Sequence, residues 1–179
     1  TVSIVPNSPI GYFKKKLQVF NNTVGYANKG GTLNVKEQWL EKPSWDIYIM
    51  CSDAELYKEL LTHLENNWSV YLPYLGKNDH PATIENVREV ELQSVTEVSQ
   101  CASLAPLESV TIKERLSKEA RKQRNANPVF LQEDMPIALS EDTGHYQFKT
   151  FSYTNLEVNV QPENLPSFFE GEGRTLGFY

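Results

Sequence analysis

Apolar positions along the chain change spacing several times, and each change predicts an element. Val2-Ser3-Ile4-Val5 is strand-like, and Pro6-Asn7-Ser8-Pro9-Ile10-Gly11 follows it with turn chemistry. Lys14-Lys15-Lys16 leads into a β-prone stretch from Leu17 to Phe20. Turn residues come next, in Asn21-Asn22-Thr23 and Asn28-Lys29-Gly30-Gly31, before the polar/apolar alternation of Thr32-Leu33-Asn34-Val35. The pattern predicts a long hairpin over 16–39 with a polar tip, where Asn and Gly tolerate positive φ and leave backbone amides free for a ligand. Trp45 to Met50, β-branched and aromatic behind Pro43, is the best strand candidate. Ser52 and Glu55 have capping-box spacing, and Leu56, Leu60, Leu61 and Leu64 recur at helical intervals, so a helix with one buried apolar stripe is expected. Asn66-Asn67 ends it, and Ser69–Leu72 and Val87–Leu92 read as further strands. Strand, helix, strand, loop, strand over 45–92 in one mixed sheet fits half of a ferredoxin-like fold of the kind RNA-recognition modules use.

From about Ser94 the pattern weakens. Residues 111–124 read as an exposed helix, with Glu114 and Lys118 at i,i+4, broken by Asn125-Ala126-Asn127-Pro128. Residues 145–160 read as a strand pair anchored by Tyr146, Phe148 and Phe151, and 175–179 as a closing strand. The expected organisation is a core over 1–93, a charged linker or helix over 94–128, and a β-rich extension over 129–179.

The chain has 179 residues, 40% of them hydrophobic, enough for one core and too few for two ordinary domains. No apolar run approaches the length that spans a bilayer, and the opening has no signal-peptide pattern, so a cytoplasmic location without membrane contact is expected. Cys51 and Cys101 lack metal-ligand spacing and read as unpaired thiols in a reducing compartment. The absence of an initiator Met before Thr1 suggests an upstream segment. A net charge of −6 argues against a general coat on nucleic acid. The distribution changes that picture. Residues 1–50 carry six Lys/Arg against three Asp/Glu, and 113–124 six against two, whereas 51–112 carry three against ten and 125–179 two against eight. Two basic islands in an acidic body suit a phosphate backbone held at a defined place, and equally a solvated face.

The densest chemistry lies in Tyr71-Leu72-Pro73-Tyr74-Leu75-Gly76-Lys77-Asn78-Asp79-His80-Pro81-Ala82. Two prolines fence a loop in which Gly76 permits a sharp turn or a close backbone approach, and Lys77 can meet a phosphate. Asn78 and His80 can read hydroxyls or base edges. On the plainer account Asp79 merely orders the loop and His80 is structural. No cofactor and no metal is called for.

Pro73–Ala82 resembles a hallmark loop of the Cas-five family in its type I-B branch. Phe20-Asn-Asn-Thr-Val-Gly-Tyr-Ala27 and Lys36-Glu-Gln-Trp-Leu-Glu-Lys-Pro-Ser-Trp45 are similar to that branch too. The likeness covers 1–92. It is looser over 130–179, mainly in Tyr153-Thr154-Asn155 and Phe178-Tyr179, and 94–128 match nothing. The resemblance implies an α+β, ferredoxin-like (RRM-like) repeat-associated (RAMP) domain with a long β-hairpin thumb. It implies a non-catalytic subunit that binds the 5′ handle of the guide RNA (crRNA) and caps the backbone of a CRISPR Cascade complex. It also implies contacts with the large and backbone subunits in RNA-guided DNA targeting. The family's first strand, helix and Gly-containing loop are not in this sequence, an expected loss of roughly 30 residues or more.

On that reading the hairpin is the thumb. The candidate RNA contacts are Lys14, Lys15, Lys16, Asn21, Asn22, Tyr26, Lys29, Lys36 and Gln38, joined by Lys77, Asn78 and His80, with Gly76 shaping the loop. Tyr26 or Trp39 would stack on a splayed base, worth about 1–3 kcal/mol, while Trp45 reads as core. Lys113, Arg115, Lys118, Arg121, Lys122 and Arg124 do not share a helical stripe, which suits a solvated helix or a contact with target DNA or the large subunit. Two alternatives stay open. In one, His80, Tyr74 and Lys77 act as a metal-free endoribonuclease on precursor guide RNA, as one branch of the family does. In the other, the chain is an RNA-binding domain unrelated to CRISPR.

Overall fold

The computed structural model describes residues 1–7, 13–21, 32–113 and 129–179. Among these residues it is a mixed α+β, strand-rich structure in five small antiparallel sheets rather than one broad sheet. β1 (Val2–Pro6) pairs with β4 (Trp45–Ile49), from Val2↔Ile49 to Pro6↔Trp45. β2 (Phe13–Asn21) and β3 (Thr32–Leu40) form the expected hairpin, in register from Phe13↔Leu40 to Asn21↔Thr32. Apolar residues are exposed on both of its faces, Leu17 and Val19 on one, Phe20 and Leu33 on the other, so the hairpin is an arm rather than a core layer.

The helix α1 (Ala54–Glu65) forms where the leucine spacing predicts it, but its cap is one residue later than expected. Asp53, not Ser52, accepts from the backbone N–H groups of Glu55 and Leu56. Asn67, at φ 53°, closes the other end. Its N–H donates to Leu64 and that of Trp68 donates to His63, the two bonds of a Schellman stop. The expected burial of the stripe fails. Leu56 is 55% exposed, Leu60, Leu61 and Leu64 are half-buried, and no residue of α1 is buried. The physical reason lies in the elements meant to cover it. Residues 69–72 and 87–92 are not strands, so the mixed sheet expected over 45–92 does not form, and α1 is tied to this segment by Tyr57, whose hydroxyl donates to Glu89 at 2.6 Å. Val70, Tyr71 and Leu72 are left 89%, 85% and 69% exposed.

Two further short strands, β5 (Gln93–Ser94) and β6 (Ala105–Pro106), precede a 3-10 turn at Leu107–Ser109 and β7 (Val110–Ile112). Thus the start of the helix expected over 111–124 is strand, and the rest lies outside the described residues. β8 (Phe130–Leu139) pairs with β9 (Tyr146–Thr154), whose other edge takes β6. β10 (Val158–Val160) joins β7, so the strands expected over 145–160 exist but do not pair with each other. A second 3-10 segment, Pro162–Ser167, leads to β11 (Phe168–Gly171), which pairs with β5 and with β12 (Arg174–Gly177), the closing strand.

Two cores hold this together. Val98, Cys101, Ala105, Val158 and Phe168 form one; Val5, Tyr48, Leu176 and Phe178 form the other. The second joins β1 and β4 to the C-terminal strand, so residues on either side of the expected boundaries at 93 and 129 share a core. Cys51 and Cys101 are free thiols, and burial pushes the Cys101 thiol up. Among the described residues no helix is long and apolar enough to cross a membrane.

Candidate functional site

Strand periodicity places Glu37 and Trp39 on one face of β3, and the register sets Lys16 of β2 opposite Glu37. Lys16 Nζ lies 4.1 Å from the centroid of the Trp39 ring, and the indole Nε1–H donates to Glu37 Oε2 at 2.8 Å. Into this face comes the proline-fenced loop. The Ala82 N–H donates to the Pro73 carbonyl at 2.8 Å, Tyr74 and Pro81 form a β-bridge, and the Leu75 N–H donates to the His80 carbonyl at 2.9 Å. The tip turns through Lys77-Asn78-Asp79-His80, closed by the His80 N–H on the Lys77 carbonyl at 2.9 Å. Gly76 enters that turn at φ 78°, in the left-handed region, as its place before a sharp turn suggested. A Cβ built there would meet nothing within 4 Å, so the glycine serves the backbone angle and not a close approach.

The loop is pinned to the hairpin at three points around the indole. Lys77 donates to Glu37 Oε1, its Nζ lies 5.7 Å from the Trp39 ring centroid, and the His80 imidazole meets that ring edge-on at 4.5 Å and 76°. Glu37 is 17% exposed and Lys77 49%. The Lys77 and Trp39 hydrogen bonds, with the nearby Lys16 charge, hold the Glu37 carboxyl below its usual range. Asp79 Oδ1 lies 3.9 Å from His80 Nε2, so the loop's own carboxylate faces its imidazole.

Of the residues singled out from sequence, the structure brings together Lys16, Lys77 and His80. Lys36 is exposed on the opposite face of β3, paired with Leu17, and Asn78 is exposed at the turn. Lys14, Lys15, Asn21 and Gln38 lie in β2 and β3, though their side chains are outside the described set. Asn22, Tyr26 and Lys29 fall outside the described residues. Trp39 is not a bare stacking platform, because Lys16 covers its ring and His80 its edge. Trp45, expected in the core, is half-buried and belongs to neither cluster.

Sequence reasoning passed over Glu37. Its signal was its place two residues before Trp39 on a predicted strand. A second network also went unseen. Asp46 accepts from Asn7 and from Arg174, both at 2.7 Å, while Glu172 accepts from Tyr48 at 3.0 Å and from Arg88 through Nε and Nη2. It ties β4 to the β11–β12 turn across more than 120 residues of chain, a pairing no local pattern encodes. Each of its arginines faces an acid, so it presents no spare cation to a ligand. Among the described residues no three His, Cys, Asp or Glu side chains converge as a metal site needs. No family model, curated protein or solved structure matches the chain.

Proposed function

We propose that the chain is a non-catalytic RNA-binding subunit of a CRISPR Cascade complex. It grips the 5′ handle of the guide RNA, caps the backbone, and touches the large and backbone subunits. One observation carries this reading. Two of the segments whose residues resemble the type I-B branch of the Cas-five family, 36–45 and 73–82, lie far apart in sequence and meet at the Trp39 joint, where two ammonium groups, an indole N–H and an imidazole gather. That is the donor and ring chemistry a single-stranded RNA backbone and its bases use. On this reading β4 and α1 belong to a ferredoxin-like domain, and the exposed run from Val70 to Leu72 is covered on assembly. The acidic body repels RNA elsewhere, so binding is local.

Fluorescence anisotropy with a repeat-derived RNA and a scrambled control tests the proposal. The pair Lys16→Ala, Lys77→Ala removes two phosphate contacts. It weakens handle binding and flattens the slope of log affinity against log salt by about 1.4, at roughly 0.7 per contact. Equal binding of handle and scrambled RNA, or an unchanged slope in the double variant, refutes it.

A further inference from the structure

The Trp39 joint contains one group that an RNA-binding surface has no evident use for: a carboxylate at its centre. Glu37 uses both oxygens there, Oε1 accepting from Lys77 and Oε2 from the Trp39 indole at 2.8 Å, and it is the most enclosed member of the ion pair, at 17% exposure against 49%. Lys16 stands opposite it in the register, with its ammonium 4.1 Å from the indole centroid. Lys77 and the indole N–H thus converge on a single two-oxygen acceptor, with the Lys16 charge over the indole face beside them. An indole N–H can only donate and an ammonium can only donate, so whatever sits between them must be an acceptor, and an anion satisfies them best.

We propose that Glu37 is a built-in competitor for phosphate, occupying an anion site made by Lys77 Nζ and Trp39 Nε1–H, with the Lys16 charge nearby, that a phosphate of the RNA backbone takes over on binding. This rests on the RNA-binding reading and adds to it the atoms of one subsite and a device that sets its threshold. A backbone phosphodiester brings the same pair of acceptor oxygens and the same single charge, with further phosphates beside it on the strand, so it satisfies the same donors while Glu37 swings toward solvent. The carboxylate raises the concentration of RNA needed to open the joint, and it rejects weak anions. The rival account makes Glu37 only a latch that keeps the loop docked. The two accounts predict opposite signs. Removing the charge strengthens anion binding if Glu37 competes, and weakens it if Glu37 only holds the loop in place.

Glu37→Gln separates them, because the amide keeps an oxygen for Lys77 or the indole and loses the charge. The full chain, labelled with 15N, is titrated with inorganic polyphosphate while the Trp39 indole N–H resonance is followed, and with handle RNA by anisotropy. Expected is a shift of that resonance with polyphosphate. Both probes should bind the Glu37→Gln chain about three- to fivefold more tightly at low salt, with the gain shrinking as salt rises. Adding Lys77→Gln should abolish the gain. Binding of either probe that is equal or weaker in Glu37→Gln, with circular dichroism unchanged, overturns the proposal even if RNA binds. An indole resonance that polyphosphate leaves unmoved overturns it as well. Polyphosphate binding that follows the expected order, with no preference for handle RNA, supports the subsite while removing the Cascade reading.

Discussion

Replacing Gly76 tests the joint without touching any of its contacting atoms. A Cβ at this position meets nothing within 4 Å, so a side chain costs only what its backbone costs at φ 78°. For an L-residue the left-handed region is unfavourable by about 1–2 kcal/mol. Ala recovers part of this by restricting the unfolded chain, about 0.4–1 kcal/mol, leaving a net loss near 0.5–1 kcal/mol. Val, branched at Cβ, tolerates the region worst, whereas Asn tolerates it best of the three. The expected order of urea midpoints is wild type, Asn, Ala, Val, with slopes unchanged. A strained turn can relax by moving, and movement carries Lys77 off Glu37 and His80 off Trp39 together. Gly76→Val should therefore damage assembly on guide RNA more than Lys77→Ala, which removes one exposed ion pair worth at most about 1 kcal/mol. Pull-down through the backbone subunit at matched expression reads this. Undiminished recovery of both variants refutes the role given to the loop. A midpoint for Gly76→Ala equal to or above wild type refutes the backbone argument.

The remaining expectations are brief. Because the Lys77 bond first, then the Trp39 bond, depress the Glu37 carboxyl below its ordinary value of 4.5, the joint's contribution is intact above that pH and is lost as pH falls through the lowered value. A Trp39 indole shift with a midpoint above 4.5 contradicts this assignment. Gly177→Ala drives a Cβ to 2.8 Å from Tyr179 Cε2 and 3.1 Å from Phe168 Cε1, and should cost about 1–3 kcal/mol in urea titration; a neutral result means the Tyr179 ring shifts freely. His80→Ala should leave guide-RNA maturation intact where a processing subunit is present, and cleavage of repeat RNA by the chain alone, abolished by that substitution, replaces binding with catalysis.

How much of this was legible depended on the range of each interaction. The hairpin and β4 were readable because alternation and turn residues act within a few positions. The helix was readable from its leucines, although Asp53 rather than Ser52 caps it, since either side chain can serve and only the backbone angle at the first turn decides. Ser69–Leu72 looked like a strand because its residues favour one, but a strand needs a partner edge, and propensity says nothing about whether one arrives. The loop residues were found from their chemistry, and Gly76 from its place before a sharp turn. Glu37 was missed because its importance comes from Lys77, forty residues away. The Asp46–Arg174 and Tyr48–Glu172 bonds were out of reach for the same reason.

The joint also works as the fulcrum of a lever. Trp39 sits near the root of the hairpin, and from there β3 runs seven residues outward to Thr32, about 24 Å at the usual strand rise. A rotation of about 10° at the fulcrum moves the far end of the arm by roughly 4 Å, more than the reach of a hydrogen bond. Small play between one carboxylate, one ammonium and one imidazole is therefore magnified into a displacement of several ångströms at the outer strand end.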